Sequence, residues 1–190
     1  MLKTNTKTIV LVGVLSAMAA ALMYTLQFPI LPGAPYLKID FSDVPALFAS
    51  IAISPVVGAV IMLIKNILHL PVSDSMMFGE LSNFLIGSAF IISAGVLSKQ
   101  FQKNKPMKKK LILILILASL IQVVAAVVVN LFIMLPLYPA LAFMRNNVPL
   151  IQKYIIGAII PFNLIKDALA SIVFYFLYRY VYPAIQKQLY

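Results

Sequence analysis

Apolar positions in this chain fall into five long blocks, about residues 8–26, 44–70, 80–97, 111–135 and 154–178, separated by short stretches rich in polar residues or proline. A helix rises about 1.5 Å per residue, so about 20 apolar residues cross the roughly 30 Å hydrocarbon core of a bilayer. The blocks therefore predict membrane-spanning helices. The 44–70 block is ambiguous, since it fits one long kinked span or two spans hinged at Ser54-Pro55. Proline removes a backbone donor and biases the residue before it away from helix.

Charge resolves the ambiguity. Lys and Arg in short loops remain on the cytoplasmic side. Lys3 and Lys7 precede the first block, Lys99, Lys103, Lys105, Lys108, Lys109 and Lys110 sit between the third and fourth, and Arg179 and Lys187 follow the last. For all three groups to lie inside, an even number of crossings must separate residue 7 from residue 99. This requires spans at 44–54 and 55–70, hence six spans at about 8–26, 44–54, 55–70, 80–97, 111–135 and 154–178, with both termini cytoplasmic. The expected fold is an all-α six-helix membrane bundle, residues 1–190 forming a single integral-membrane domain. Residues 44–54 are short for a crossing, so neighbouring helices or an ordered loop must cover the gap. The first block also mimics a signal peptide, with Ala17-Met18-Ala19 as its small-residue site. It runs on uncut to Leu26, however, and removing it would upset the charge parity.

Composition agrees with this class. Of 190 residues, 63% are hydrophobic and 11% charged, against roughly 25% charged in soluble domains. The net charge of +10 is an orientation signal. Its densest cluster is a short cytoplasmic loop without interleaved aromatics, which argues against nucleic acid as a partner. The absence of Cys removes disulfides and thiolate chemistry.

Polar side chains within spans are costly and mark function by default. Lys65, Asn66 and His69 fall on the third span, Glu80 and Asn83 on the fourth, Gln122 and Asn130 on the fifth, and Asn163, Lys166 and Asp167 on the sixth. Apart from Gln122 they map to the outer half or the midplane. At 100° per residue, Asn163, Lys166 and Asp167 share one helix face, as do Glu80, Asn83 and Gly87. Interhelical hydrogen bonding could account for any one of them, with Lys166 neutralising Asp167 or Glu80. Such bonding has no reason to concentrate on one side of the membrane, and a ligand pocket does.

The first outer loop, residues 27–43, reads QFPILPGAPYLKIDFSD. It is too apolar for a solvated linker and too broken for a span. A stiff loop of this kind suits either a cap over a cavity or a plug covering the short second span. On the first span, Gly13, Ala17 and Ala21 recur every four residues, a stripe that admits close approach of another helix, in the same bundle or in a separate subunit.

Several chemistries lack their parts. No GxxxxGK[ST] is present, so the chain is not its own ATPase. His69 has neither an HExxH context nor a thiolate companion. Ser73 or Ser75 with His69 and Asp74 would be too close in sequence for a serine triad. Enzyme function is disfavoured by these missing parts.

The run FPILPGAPYLKIDFSDVPALFASIAISPVVGAVIMLIKNILHL, followed by GELSNFLIG and PFNLIKD, resembles the substrate-binding S component of energy-coupling factor (ECF) vitamin importers, specifically the riboflavin branch. YLKIDFSDVP and FNLIKD carry most of the resemblance. It implies a vitamin site in the outer half closed by the first loop, with Asn130, Asn163 and Lys166 on the polar edge of riboflavin, Glu80 and Asn83 nearby, Leu37 or Phe41 in the lid, and Tyr36 among the ligand-binding residues. It further implies that the stripe of Gly13, Ala17 and Ala21 docks on a transmembrane coupling subunit bound to two cytosolic ATPases. Riboflavin is then the transported ligand, and no cofactor is implied. Asp167 departs from the pattern, a small residue such as Gly being expected there. An acid beside Lys166 would compete with ligand for the ammonium.

Overall fold

The computed structural model describes residues 6–31, 34, 36–102 and 110–180. The helices are α1 (Thr6–Thr25), α2 (Asp43–Ala52), α3 (Pro55–His69), α4 (Phe78–Gln102), α5 (Leu111–Leu137) and α6 (Val148–Tyr180). Five of these stretches are long and apolar enough to cross a membrane, and α2, at ten residues, is not. Lys3, Lys103, Lys105, Lys108, Lys109 and Lys187, which anchor the charge map, lie outside the described residues.

One departure from an all-helical chain lies in the first outer loop. Phe28–Pro29 (β1) pairs antiparallel with Lys38–Ile39 (β2), Phe28 opposite Ile39 and Pro29 opposite Lys38. The pairing draws the two ends of the loop together over the bundle.

The 44–70 block is divided where its sequence predicts. α2 ends at Ala52, and Ser54 is extended, with φ −165° and ψ 155°. Its Oγ accepts from the Val57 amide at 3.3 Å, and Pro55 takes the first helical position, where its missing N–H costs nothing. The chain reverses, so α2 and α3 lie antiparallel. Every residue of α2 from Asp43 to Ile51 is buried, enclosed by α1, α3, α4 and α6. That enclosure surrounds the short helix with protein.

Close packing around α2 depends on two glycines. A Cβ at Gly58 would lie 2.7 Å from Ser50 Cβ and 2.8 Å from the Ala46 carbonyl, and one at Gly95 would lie 2.2 Å from Ser50 Oγ and 2.9 Å from the Ser50 carbonyl. Ser50 completes the contact by donating to the Ile91 carbonyl at 2.6 Å. Between helices in lipid, such fit replaces the hydrophobic effect as the source of association.

α5 and α6 each contain one turn of π-helix, Asn130–Met134 and Ile155–Ile159. Both precede a proline by two residues, Pro136 and Pro161. A proline has no N–H for the carbonyl four residues back, and its ring crowds that carbonyl. Phe132 and Gly157 carry those carbonyls, and both fall inside the π turns. The wider turn relieves the crowding, and such bulges recur at functional sites.

Gly95→Val is expected to cost about 1–3 kcal/mol or more through overpacking against Ser50. Gly13→Val, whose Cβ meets nothing within 4 Å, should stay within about 1 kcal/mol. Thermal unfolding of the two purified variants in detergent measures the contrast.

Candidate functional site

Between the first-loop hairpin and the parts of α4, α5 and α6 nearest to it lies a cavity. The space between its lining atoms, open mouth included, is about 910 Å³. Tyr36 and Leu37 border it from the loop, Glu80 and Asn83 from α4, Asn130 from α5, and Asn163 and Lys166 from α6. Phe41 is not among the lining residues. It is half-buried and packs against the main core cluster, because α2 begins two residues later and carries it inward. Gly13, Ala17 and Ala21 are exposed on the flank of α1, whereas Ser16, Ala19, Ala20 and Met23 face the bundle. Packing within the bundle therefore uses a different stripe.

The two asparagines are placed by the π turns. Asn130 Nδ2 donates to the Ala126 carbonyl at 2.8 Å, and its Oδ1 accepts from the Tyr154 hydroxyl at 3.0 Å. Asn163 Nδ2 donates to the Ile159 carbonyl at 2.8 Å, and its Oδ1 accepts from Gln122 Nε2 at 3.3 Å. An amide has two N–H groups and two lone pairs. After these bonds each asparagine keeps one donor and one acceptor, in fixed orientation, for a third party. Ile86, Met134, Leu141, Ile159 and Phe162 supply apolar wall. Gln122, which the depth argument sets apart, borders the same cavity.

At the floor lies a cluster of buried charge. Lys65 donates to Asp43 Oδ1 and to Ser42 Oγ. Lys166 Nζ lies 3.1 Å from Asp43 Oδ2, 3.7 Å from Asp40 Oδ2 and 3.4 Å from Asn83 Oδ1. Asp40 also accepts from the Ser42 amide at 2.7 Å and from its hydroxyl. Burial raises the Asp40 carboxyl, but Lys166 and Lys65 outweigh that and, with Ser42, hold it well below the usual carboxylate range. Two ammonium and two carboxylate groups thus neutralise one another, as buried charges must. The expected pairing of Lys166 with Asp167 or Glu80 is replaced by this one. Asp167 instead accepts from Ser119 Oγ at 2.7 Å, so the unexpected acid does not hold Lys166 away from the cavity.

Glu80 belongs to a second set at the mouth. Its Oε1 is 2.8 Å from His69 Nδ1, and its Oε2 accepts from Ser73 Oγ at 2.7 Å and Ser75 Oγ at 3.2 Å. His69 Nε2 lies 3.3 Å from Gln27 Nε2, so a proton on Nδ1 satisfies both contacts. Above them Lys38 pairs with Asp74, and the contact lowers the Asp74 carboxyl. Tyr138 stands edge-on to Tyr36, centroids 6.1 Å apart, and 5.2 Å from Phe78. Burial raises the Tyr36 phenol, which keeps it neutral beside the cavity.

The site as built is a lidded pocket with apolar walls, a neutralised ionic floor, two oriented amides and a carboxylate at its mouth. It suits an amphipathic small molecule with alternating donors and acceptors along one edge. Nothing in the sequence marks Tyr138 or Tyr154 as lining it, and Gln122 is marked only as a polar residue within its span.

A family model for the ECF transporter, substrate-specific component, matches residues 7–178. The riboflavin transporter RibU of Staphylococcus aureus (strain TCH60) is 40% identical over 176 residues, covering 91% of this chain and 89% of that protein. The riboflavin transporter FmnP of Bacillus subtilis (strain 168) is 33% identical over 192 residues, covering 96% and 95%. A solved S component of a bacterial ECF transporter superposes with a TM-score of 0.77 at 36% identity, over 94% of this chain and 97% of that one. Matched through nearly all of its helical bundle in sequence and in fold, this chain belongs to the substrate-specific components of ECF transporters.

Proposed function

We propose that this chain is the riboflavin-binding subunit of an ATP-driven importer, capturing the vitamin in the cavity and passing it inward together with a separate transmembrane coupling subunit and two cytosolic ATPases. The observation that carries the reading is the convergence of Asn130, Asn163 and Lys166 on one cavity that Ile86, Met134, Leu141 and Phe162 also line. The pyrimidine edge of riboflavin alternates donors and acceptors, which amides with one free donor and one free acceptor each can match. Its dimethylbenzene edge suits the wall of Ile86, Met134, Leu141 and Phe162. The ribityl hydroxyls fall to Glu80 and Asn83, and Tyr36 and Leu37 close the site from the loop. That two similar proteins are named riboflavin transporters supports the same ligand.

The topology proposed with it has six crossings, α2 and α3 making the second and third, and both termini on the cytoplasmic side of the cell membrane. The parity of the positive charges supports it, as does the full enclosure of α2. The coupling subunit docks along Gly13, Ala17 and Ala21, a stripe whose exposure leaves it open to a second membrane helix.

Protein purified from cells supplied with riboflavin should be yellow, with the flavin absorption bands at near-stoichiometric occupancy; a colourless protein that titration with riboflavin leaves unchanged refutes the ligand. Asn130→Ala and Asn163→Ala should each weaken riboflavin binding about tenfold or more, the cost of stranding polar atoms in a dry site, without changing the elution volume on gel filtration. Ala17→Leu should leave flavin binding within about twofold and abolish co-purification with the coupling subunit, because a larger side chain blocks close helix approach.

A further inference from the structure

Two buried lysines share one carboxylate, and only one of them borders the cavity. Asp43 gives Oδ1 to Lys65 and Oδ2 to Lys166. Lys65 is 0% exposed, absent from the cavity lining, and bonded to Ser42 as well as Asp43. Its ammonium is enclosed and committed. Lys166 is held more loosely, at 3.1 Å from Asp43, 3.4 Å from Asn83 and 3.7 Å from Asp40. All three exceed the roughly 2.7–2.9 Å of a charge-assisted hydrogen bond. An ammonium has three N–H donors, so Lys166 keeps hydrogen-bonding capacity at the cavity floor.

We propose that Lys65 is the positioning residue of the site, taking the nearer share of Asp43 and Ser42 so that Lys166 stays free to meet a ligand. With Lys65 removed, Asp40 and Asp43 face a single cation, and Lys166 is drawn down onto Asp43 and away from the cavity. Lys65 itself touches no ligand. Its effect passes through Asp43, which also fixes the start of α2 and hence the inner end of the first loop.

The binding test rests on the riboflavin reading, so a second measurement is made without ligand. Lys65→Met should weaken riboflavin binding about tenfold or more, because it leaves a buried carboxylate without its nearer partner. Lys65→Met combined with Asp43→Asn removes one charge of each sign and the carboxylate that captures Lys166, so it should recover affinity to within about threefold of the parent chain. Recovery in the double variant places the loss on the Asp43 carboxylate left to Lys166 rather than on the missing Lys65 side chain. Affinity unchanged by Lys65→Met, or a folded double variant that binds as weakly as the single one, overturns the proposal. Should the single variant fail to fold, the double variant alone decides.

In the ligand-free protein, dipolar recoupling between ¹⁵N-lysine and ¹³C-aspartate side chains, assigned with Lys166→Met, reports both contacts of Asp43. The parent chain should show a stronger Lys65 than Lys166 coupling to Asp43. A Lys166 coupling equal to or stronger than that of Lys65 overturns the proposal whatever the ligand proves to be. Failure of the parent chain to bind riboflavin, with the stronger Lys65 coupling present, instead removes the riboflavin reading and leaves the positioning role intact.

Discussion

The structure turns on the neutralisation of two lysines inside a membrane. An ammonium group at this depth is tolerated only where carboxylates and hydrogen-bond acceptors meet it. The chain meets that demand with three residues just before and at the start of α2, where Asp40, Ser42 and Asp43 supply acceptors for Lys65 and Lys166. That requirement fixes α2 between α3 and α6, and it brings the first loop down onto the bundle. The cavity is the space left between this ionic floor and the loop above it.

Local chemistry and global fold agree at the two asparagines. A proline in the last third of one helix and another in the first half of the next each disturb a carbonyl four residues back. The resulting π turns are what set Asn130 and Asn163 against the same space. Each asparagine spends one N–H on the preceding turn of its own helix, which locks the side chain before any ligand arrives. Such preorganisation lowers the entropy lost on binding.

Much of this was legible in the residues alone. The apolar blocks gave the helices, Ser54-Pro55 gave the break, and helical periodicity grouped Glu80 with Asn83 and Asn163 with Lys166. The Asp43–Lys65 pair carried a signal as well, since the two residues stand eleven positions before and eleven after Ser54, and an antiparallel reversal there sets them side by side. Reading it requires knowing that the chain turns back at Ser54 rather than kinking. Other features left no trace. Tyr138 and Tyr154 sit among apolar residues and look like any interfacial aromatic. Gln122 stands about two helical turns before Asn130, so residue count alone sets it apart in depth from the other polar groups. Phe41 is a lid residue only through the resemblance, as an alternative to Leu37, and its neighbours already belong to the start of α2. Two-residue strands such as β1 and β2 are too short for any alternation to announce them.

The C-terminal part of the first loop is fastened by different physics at neighbouring residues. Asp40 and Asp43 are held by charges shut away from water, which salt barely reaches. Two residues before Asp40, Lys38 pairs with Asp74, whose side chain is 66% exposed, an attachment that ions screen and thermal motion breaks readily. Ionic strength therefore acts on the contact at Lys38 without loosening those at Asp40 and Asp43.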